Sequence, residues 1–490
     1  MPAAPPMTRA PWIPGRTWRP SVVFGAVLVL ITGFGLWMIS GPSRFLGRGG
    51  CVVVVLNSQS TLDARSGQSL LEVLEEAFDY AGSTPLYQAP PGWTWKPKTP
   101  SFLEVELEPR RQGTSLGFGG RWRQVEQGQP LGWEPIELPP LPPREVILEL
   151  GKILGVPLSR AKLDASIPRE PSLFWESIRI DHMPADEARH LLRSWKGRLE
   201  PGALAGVRYA GGLRRALWDL PVEGRQLWEE ARILSDRGLQ RTPDSPAAIK
   251  EWAHHAIHAG EGRTALSRLL KALRQNPRSP SLAYMTSYAA RYTGRLDIAI
   301  AALDRMEALD PRVRVHGPNQ TARLYAGDLK GYAEGLAADP GVYWQAYFEV
   351  QRGRLDLMNG DRLSARAHFL RGTAALGSHQ SGHRLAEGFL AALEGRNSEA
   401  IRLFQELDRH RKDRGLFDGE LALFLAEGAI LAGDLEAGQS LLEQAYTDGF
   451  SCSEWLQRDP LILPLQGSPR WNALLLRVKE REDRVRNLGF

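Results

Sequence analysis

Cysteine is almost absent from this chain: Cys51 and Cys452 are the two in 490 residues. Thiols so far apart form no metal-binding or redox spacing, and a bridge between them would need an oxidising compartment. A dominant charge is missing as well. Lys and Arg number 61 against 56 Asp and Glu, for a net charge of +5. The basic residues are mixed with acids along the chain, which argues against a nucleic-acid footprint. Phosphate-cradling loops are also lacking. There is no Walker motif, and Gly117-x-Gly119 has no third glycine to complete a dinucleotide fingerprint. What remains is ordinary globular composition, 43% hydrophobic and 24% charged, with length for roughly two to four domains. Arginine greatly outnumbers lysine, as in chains from GC-rich bacterial genomes.

One long apolar run stands out. Val22–Ile39 is uncharged, and no charge occurs between Arg19 and Arg44. A window of about 18 apolar residues suits one membrane-spanning helix, with Trp18 and Trp37 at the interfaces. A cleaved signal peptide is the rival reading, but the apolar core is long for one and Ser40-Gly41-Pro42 makes a poor cleavage site. The expectation is a cytoplasmic tail over 1–20 and a transmembrane helix over 21–40, with the bulk outside the cytoplasm at a bacterial inner membrane.

Past the span, Cys51–Leu56 is a β-branched run that predicts a buried strand, and Leu70, Leu71, Val73, Leu74 and Phe78 form a helical stripe. Glu104, Glu106 and Glu108 alternate with Leu103, Val105 and Leu107, with Ser115–Val125 as the hairpin partner. The proline-rich segment Glu134–Arg144 reads as a stiff extended connector, and Glu145–Leu154 as an amphipathic helix. This order of elements over 51–165 resembles the TolB-N-like domain, which precedes tetratricopeptide (TPR) repeats outside the membrane in CadC-type regulators. Those regulators have a strand ending Leu-Pro-Phe, where this chain has Leu56-Asn57-Ser58, and a winged-helix domain before the span. Roughly 20 residues precede the span here, so DNA binding does not carry over.

The strongest internal signal is a repeat. Gly260 and Gly294, Ala265 and Ala299, Leu269 and Leu303, and Pro277 and Pro311 are each 34 residues apart. That period, with a glycine between two helical patterns and a proline after the second, resembles the TPR family. Further units centre on Gly327, Gly360, Gly395 and Gly433, for about six in all. The expected fold is mainly α: a connecting helical region over 166–216, a TPR-like α-solenoid over 217–450 and a capping segment over 451–490.

No catalytic site, metal site or cofactor is expected. Gly113-Thr114-Ser115-Leu116-Gly117 matches the hydrolase elbow pattern, but the glycine-broken stretch after it suits a hairpin better than a strand entering a helix. Glu187-x-x-His190 and Glu251-x-x-His254 are lone halves of a di-iron pattern, and His254 with His258 lacks a third ligand for zinc. The TPR resemblance implies instead that first-helix positions 2, 5, 9, 12 and 13 face a concave groove. Lys250, His254 and His258 then line it beside Tyr284, Tyr288, Arg291 and Tyr292, able to grip an extended peptide through cations and rings. Packing of the tyrosines on neighbouring repeats is the other reading of the same positions. The function expected is a membrane-anchored scaffold or assembly protein with a protein partner outside the cytoplasm. An extracytoplasmic sensor relaying through another membrane protein is the alternative.

Overall fold

The computed structural model describes residues 51–56, parts of 70–81, 86–88, 102–126, 129–168, 170–180, 190–191, 194, 204–216, 224–309, 317–337, 344–415 and 417–488. The expected membrane span at 21–40 lies outside them. Among the described residues no helix is long and apolar enough to cross a membrane.

The first domain is built on a sheet of β1 (Cys51–Leu56), β2 (Leu86–Gln88), β3 (Phe102–Gln112), β4 (Ser115–Glu126), β5 (Gln129–Pro130) and β6 (Glu134–Leu141). The order is β2-β1-β3-β4-β5, with β6 also on β4; β1 is parallel to β2 and β3, and β3 antiparallel to β4. Strand alternation decides the faces. Val52, Val54, Leu103, Val105, Leu107, Leu116 and Phe118 point into a core closed by Leu70, Val73, Leu74 and Phe78. Opposite registers on the outer face pair Glu104 with Arg123 and Glu106 with Arg121. The proline-rich segment is not a free connector. Ile136 and Leu138 alternate inward, which pulls 134–141 onto β4 as a strand; among the described residues no further strand pairs with it, so its prolines break no ladder there.

Helices α1 (Pro143–Ile153), α2 (Arg160–Ser166) and α3 (Pro171–Ile180) close this domain, and α4 (Leu204–Ala216) with α5 (Gly224–Arg241) leads away from it. Six hairpins follow: α6 (Pro246–His258) with α7 (Gly262–Gln275), α8 (Pro280–Tyr292) with α9 (Leu296–Leu309), α10 (Gly317–Tyr325) with α11 (Leu329–Leu336), α12 (Gln345–Met358) with α13 (Arg362–Ala374), α14 (Gln380–Leu393) with α15 (Asn397–Asp413), and α16 (Gly419–Leu431) with α17 (Leu435–Thr447). The six-residue α18 (Ser453–Arg458) and the longer α19 (Pro469–Asp483) follow.

Local chemistry sets each hairpin. Ser245 and Ser279 cap α6 and α8, accepting from the backbone N–H of Ala248 and Leu282, with Pro246 and Pro280 in the first turn where no N–H is needed. The glycine between the paired helices is left-handed in all six, from φ 73° at Gly294 to 86° at Gly433, so the chain reverses there without Cβ strain. Small residues five positions later, Ala265, Ala299, Ala365 and Ala400, are fully buried and let the pair approach.

In a plain solenoid each hairpin touches only its neighbours. This array instead curls until its end meets its start. One core cluster joins Ile249, Leu282 and Tyr325 to Phe424, Phe450, Trp455 and Leu474. The Ser451 N–H donates to the carbonyl of Tyr292 at 2.8 Å, and Arg458 reaches the carbonyl of Tyr325. At the other end the first turn of α6 inserts Ala247 and Ala248 into the sheet domain's core, so that domain caps the solenoid.

Candidate functional site in the concave face

The curling brings α16 against the first helices α6, α8 and α12. Helix α16 (GELALFLAEGAIL) is apolar except for Glu420 and Glu427, seven residues apart on one face. Each meets a buried arginine. Arg291 binds Glu420 through both Nε and Nη2, at 2.8 and 2.6 Å, and Arg354 grips Glu427 in the same two-pronged way. All four side chains are 6% exposed or less. Burial works against the charge on Arg291, but Glu420 outweighs it and holds the guanidinium well above its ordinary pKa. Geometry of this kind is what lets a buried ion pair offset its own desolvation.

A polar chain runs beside this seam. Tyr292 donates its hydroxyl proton to Asp418 at 2.7 Å, Tyr288 lies 3.2 Å from Tyr292, and His258 Nε2 lies 3.2 Å from the Tyr288 hydroxyl. His258 Nδ1 faces the carbonyl of Phe417 at 3.1 Å. Burial lowers the His258 pKa to about 4, against the pull of Asp418, so the ring is neutral at pH 7. Three protons, one on each ring, then serve four contacts, and one contact stays empty whichever tautomer His258 adopts. Burial likewise pushes the hydroxyls of Tyr288 and Tyr292 upward, with Asp418 and Glu420 adding to it.

The helices leave a cavity of about 110 Å³ beside this network. Of the seven groove residues expected from the sequence, His254, His258, Tyr284, Tyr288 and Arg291 line it. Lys250 and Tyr292 do not. Tyr292, Arg291, His258 and Tyr288 are buried, whereas Lys250, His254 and Tyr284 are half-buried. Among the described residues, the part of the concave face that these side chains line is thus largely filled by the chain itself. The carboxylate that Arg291 was expected to take from a peptide is supplied by the chain itself, as Glu420. Trp344 and Tyr347 from α12 and its approach, and Phe424 from α16, complete an aromatic wall. Arg214 enters from α4 and is paired with Glu251 at 3.0 Å. Sequence reasoning missed Glu420 and Glu427, although two lone carboxylates on an apolar helix are a legible sign of buried partners.

The other motifs resolve structurally. Gly113 and Thr114 form the β3–β4 turn, with Ser115 opposite Gln112, so the elbow-like pentapeptide is a hairpin. Glu251 is consumed by Arg214 and His255. Glu187 lies outside the described residues. Cys452 is a buried free thiol, its pKa pushed up by burial.

No protein-family model matches the chain. No curated protein sequence matches it either. Among solved structures it is similar to a chain of the APC/C hetero-tetramer Cut9-Hcn1, at 13% identity and a TM-score of 0.42, over 65% of this chain and 61% of that one. It is similar to the human IFIT1 dimer with PPP-AAAA at 12% identity and a TM-score of 0.32, over 62% and 76% of the two chains. The P58(IPK) TPR domain is 12% identical with a TM-score of 0.19, over 70% of this chain and 98% of that one. The chain thus spans 61% of the length of the first of these. The repeat architecture rests on the six hairpins themselves.

Proposed function

We propose that this chain is a protein-interaction scaffold, anchored in a bacterial inner membrane through residues 21–40, with its sheet domain and solenoid outside the cytoplasm. The sheet domain ahead of helical repeats, as in the extracytoplasmic half of CadC-type regulators, supports that placement. The observation that carries the binding role is the aromatic cavity in the concave face. Its arginines are matched by the chain's own carboxylates, and its walls include the half-buried rings of Tyr284, Trp344 and Tyr347. Its volume of about 110 Å³ suits one side chain of a partner. Rings on several sides favour an apolar or aromatic side chain projecting from a partner's loop or terminus. A photo-crosslinking residue in place of Tyr284 is expected to give one discrete adduct with the partner that co-purifies in mild detergent. Tyr284→Ala combined with Tyr347→Ala is expected to lose that partner while still melting cooperatively, at a lowered temperature because both rings pack against the core. Retention of the partner by the double variant overturns the pocket as the binding site. Reporters fused after Ser40 test the placement, and cytoplasmic reporter activity there overturns it.

A further inference from the structure

Helix α13 is apolar on two opposite sides. Ala365, Phe369 and Gly372 face inward and are buried. Leu363, Ala367, Leu370 and Ala374 lie about 160° away round the helix, at spacings of four, three and four residues. All four are exposed: Leu363 by 83% and Leu370 by 39%, with Leu376 just beyond the helix at 89%. A solvated repeat helix places charge on that side, so this stripe is unlike the outward faces around it. On α15, for example, every exposed position is polar or charged, Arg402, Gln405, Arg409 and Lys412 among them.

The pattern selects its own partner. Leu363 and Ala374 are placed symmetrically about the same midpoint as Ala367 and Leu370. Two copies of α13 laid antiparallel therefore set Leu363 against Ala374 of the other copy and Ala367 against Leu370. Every large side chain then meets a small one, as close helix packing requires. Charge points the same way. Arg366 is bound to Glu394 at 2.6 Å and Arg371 to Glu349 at 3.0 Å, and Asp361 precedes Arg362. Arg366 and Arg371, one on each side of the stripe, are thus held back against carboxylates of neighbouring helices and turns, Glu394 being shared with Arg396 and Glu349 with Arg352, while the stripe between them carries no charge. An uncharged, self-complementary stripe fits a second copy of itself.

We infer that α13 is a two-fold self-association surface, formed by antiparallel pairing of its Leu363–Ala374 stripe. A contact about 20 Å long lies at the small end of specific interfaces, so the dimer is expected in the micromolar range. Sedimentation of the full-length chain in mild detergent should show a monomer–dimer equilibrium. Leu363→Glu with Leu370→Glu should give monomer only, at an unchanged melting temperature because both sites are exposed. In a Cys51→Ser background, Leu363→Cys chains mixed with Ala374→Cys chains should cross-link through a short bismaleimide several-fold better than Leu363→Cys chains alone. A monomer at every concentration, a dimer indifferent to the glutamates, or equal self-linking by Leu363→Cys each overturns the inference. An anionic vesicle that captures the wild-type chain but not the double glutamate variant, with no dimer seen, would assign the stripe to a membrane surface instead. Self-association is independent of the concave cavity, and the Tyr284→Ala, Tyr347→Ala variant should dimerise normally.

Discussion

Arg291 shows how much a single side chain can change meaning between chain and fold. At a concave first-helix position it looked available to a ligand, yet it is 1% exposed and closed on Glu420 from a helix 129 residues away. Arg291→Ala leaves the Glu420 carboxylate buried and unpaired, which is expected to cost about 3–5 kcal/mol. Urea titration of the variant checks this, and removing both partners in Arg291→Met, Glu420→Leu should recover much of the loss. The histidines carry a pH dependence. The pKa of His258 falls to about 4 and that of His379 to about 3, both through burial, and that of His254 is lowered by burial and Arg214. A histidine whose pKa is lowered by folding adds stability above its unfolded value near 6.5, and that stability is lost as pH falls through the folded value. The melting temperature should therefore drop between about pH 6.5 and 4. Asp459, whose pKa is raised by burial and by Glu427, works in the opposite direction. His258→Gln, neutral throughout, should flatten part of the drop measured by calorimetry.

At the level of elements, the turn glycines separate two costs that a sequence cannot tell apart. Gly360 has φ 79° with nothing within 4 Å of an added Cβ, so Gly360→Ala should lose only the left-handed backbone penalty, about 1 kcal/mol. Gly294 has φ 73°, but its Cβ would sit 2.2 Å from the carboxylate of Glu482, which accepts from both the backbone N–H and the hydroxyl of Ser453. Gly294→Ala should lose the backbone penalty and that clasp as well, and so be the more destabilised variant in parallel denaturation curves. The hairpins themselves were legible in the chain, because glycine and proline placement acts locally. The strand at 134–141 was not. Its prolines signal extension, and only the inward alternation of Ile136 and Leu138 against β4 makes it part of a sheet.

Across the whole molecule, closure of the solenoid on itself couples its two ends. Removing residues 453–488 uncovers Tyr325 and the rest of the shared core, where the stacked Trp455 ring lies 5.0 Å away. The truncated chain should bind a hydrophobic dye and lose its cooperative melt, instead of simply shedding a terminal repeat. A truncated chain that melts cooperatively near the wild-type temperature would mean the ends are independent. The period of 34 residues, the capping serines, the turn glycines and the sheet hairpin were determined by the amino-acid sequence alone, because propensity, capping and alternation operate over a few residues. Five of the cavity's lining residues could be named because the TPR resemblance implies which first-helix positions face the groove. That α16 packs on this face, that Glu420 and Glu427 neutralise Arg291 and Arg354, and that a small cavity remains beside them were decided only by the tertiary structure. The superhelical curl that brings residues 129 positions apart into contact sums small angles over six hairpins, and no local pattern records that sum.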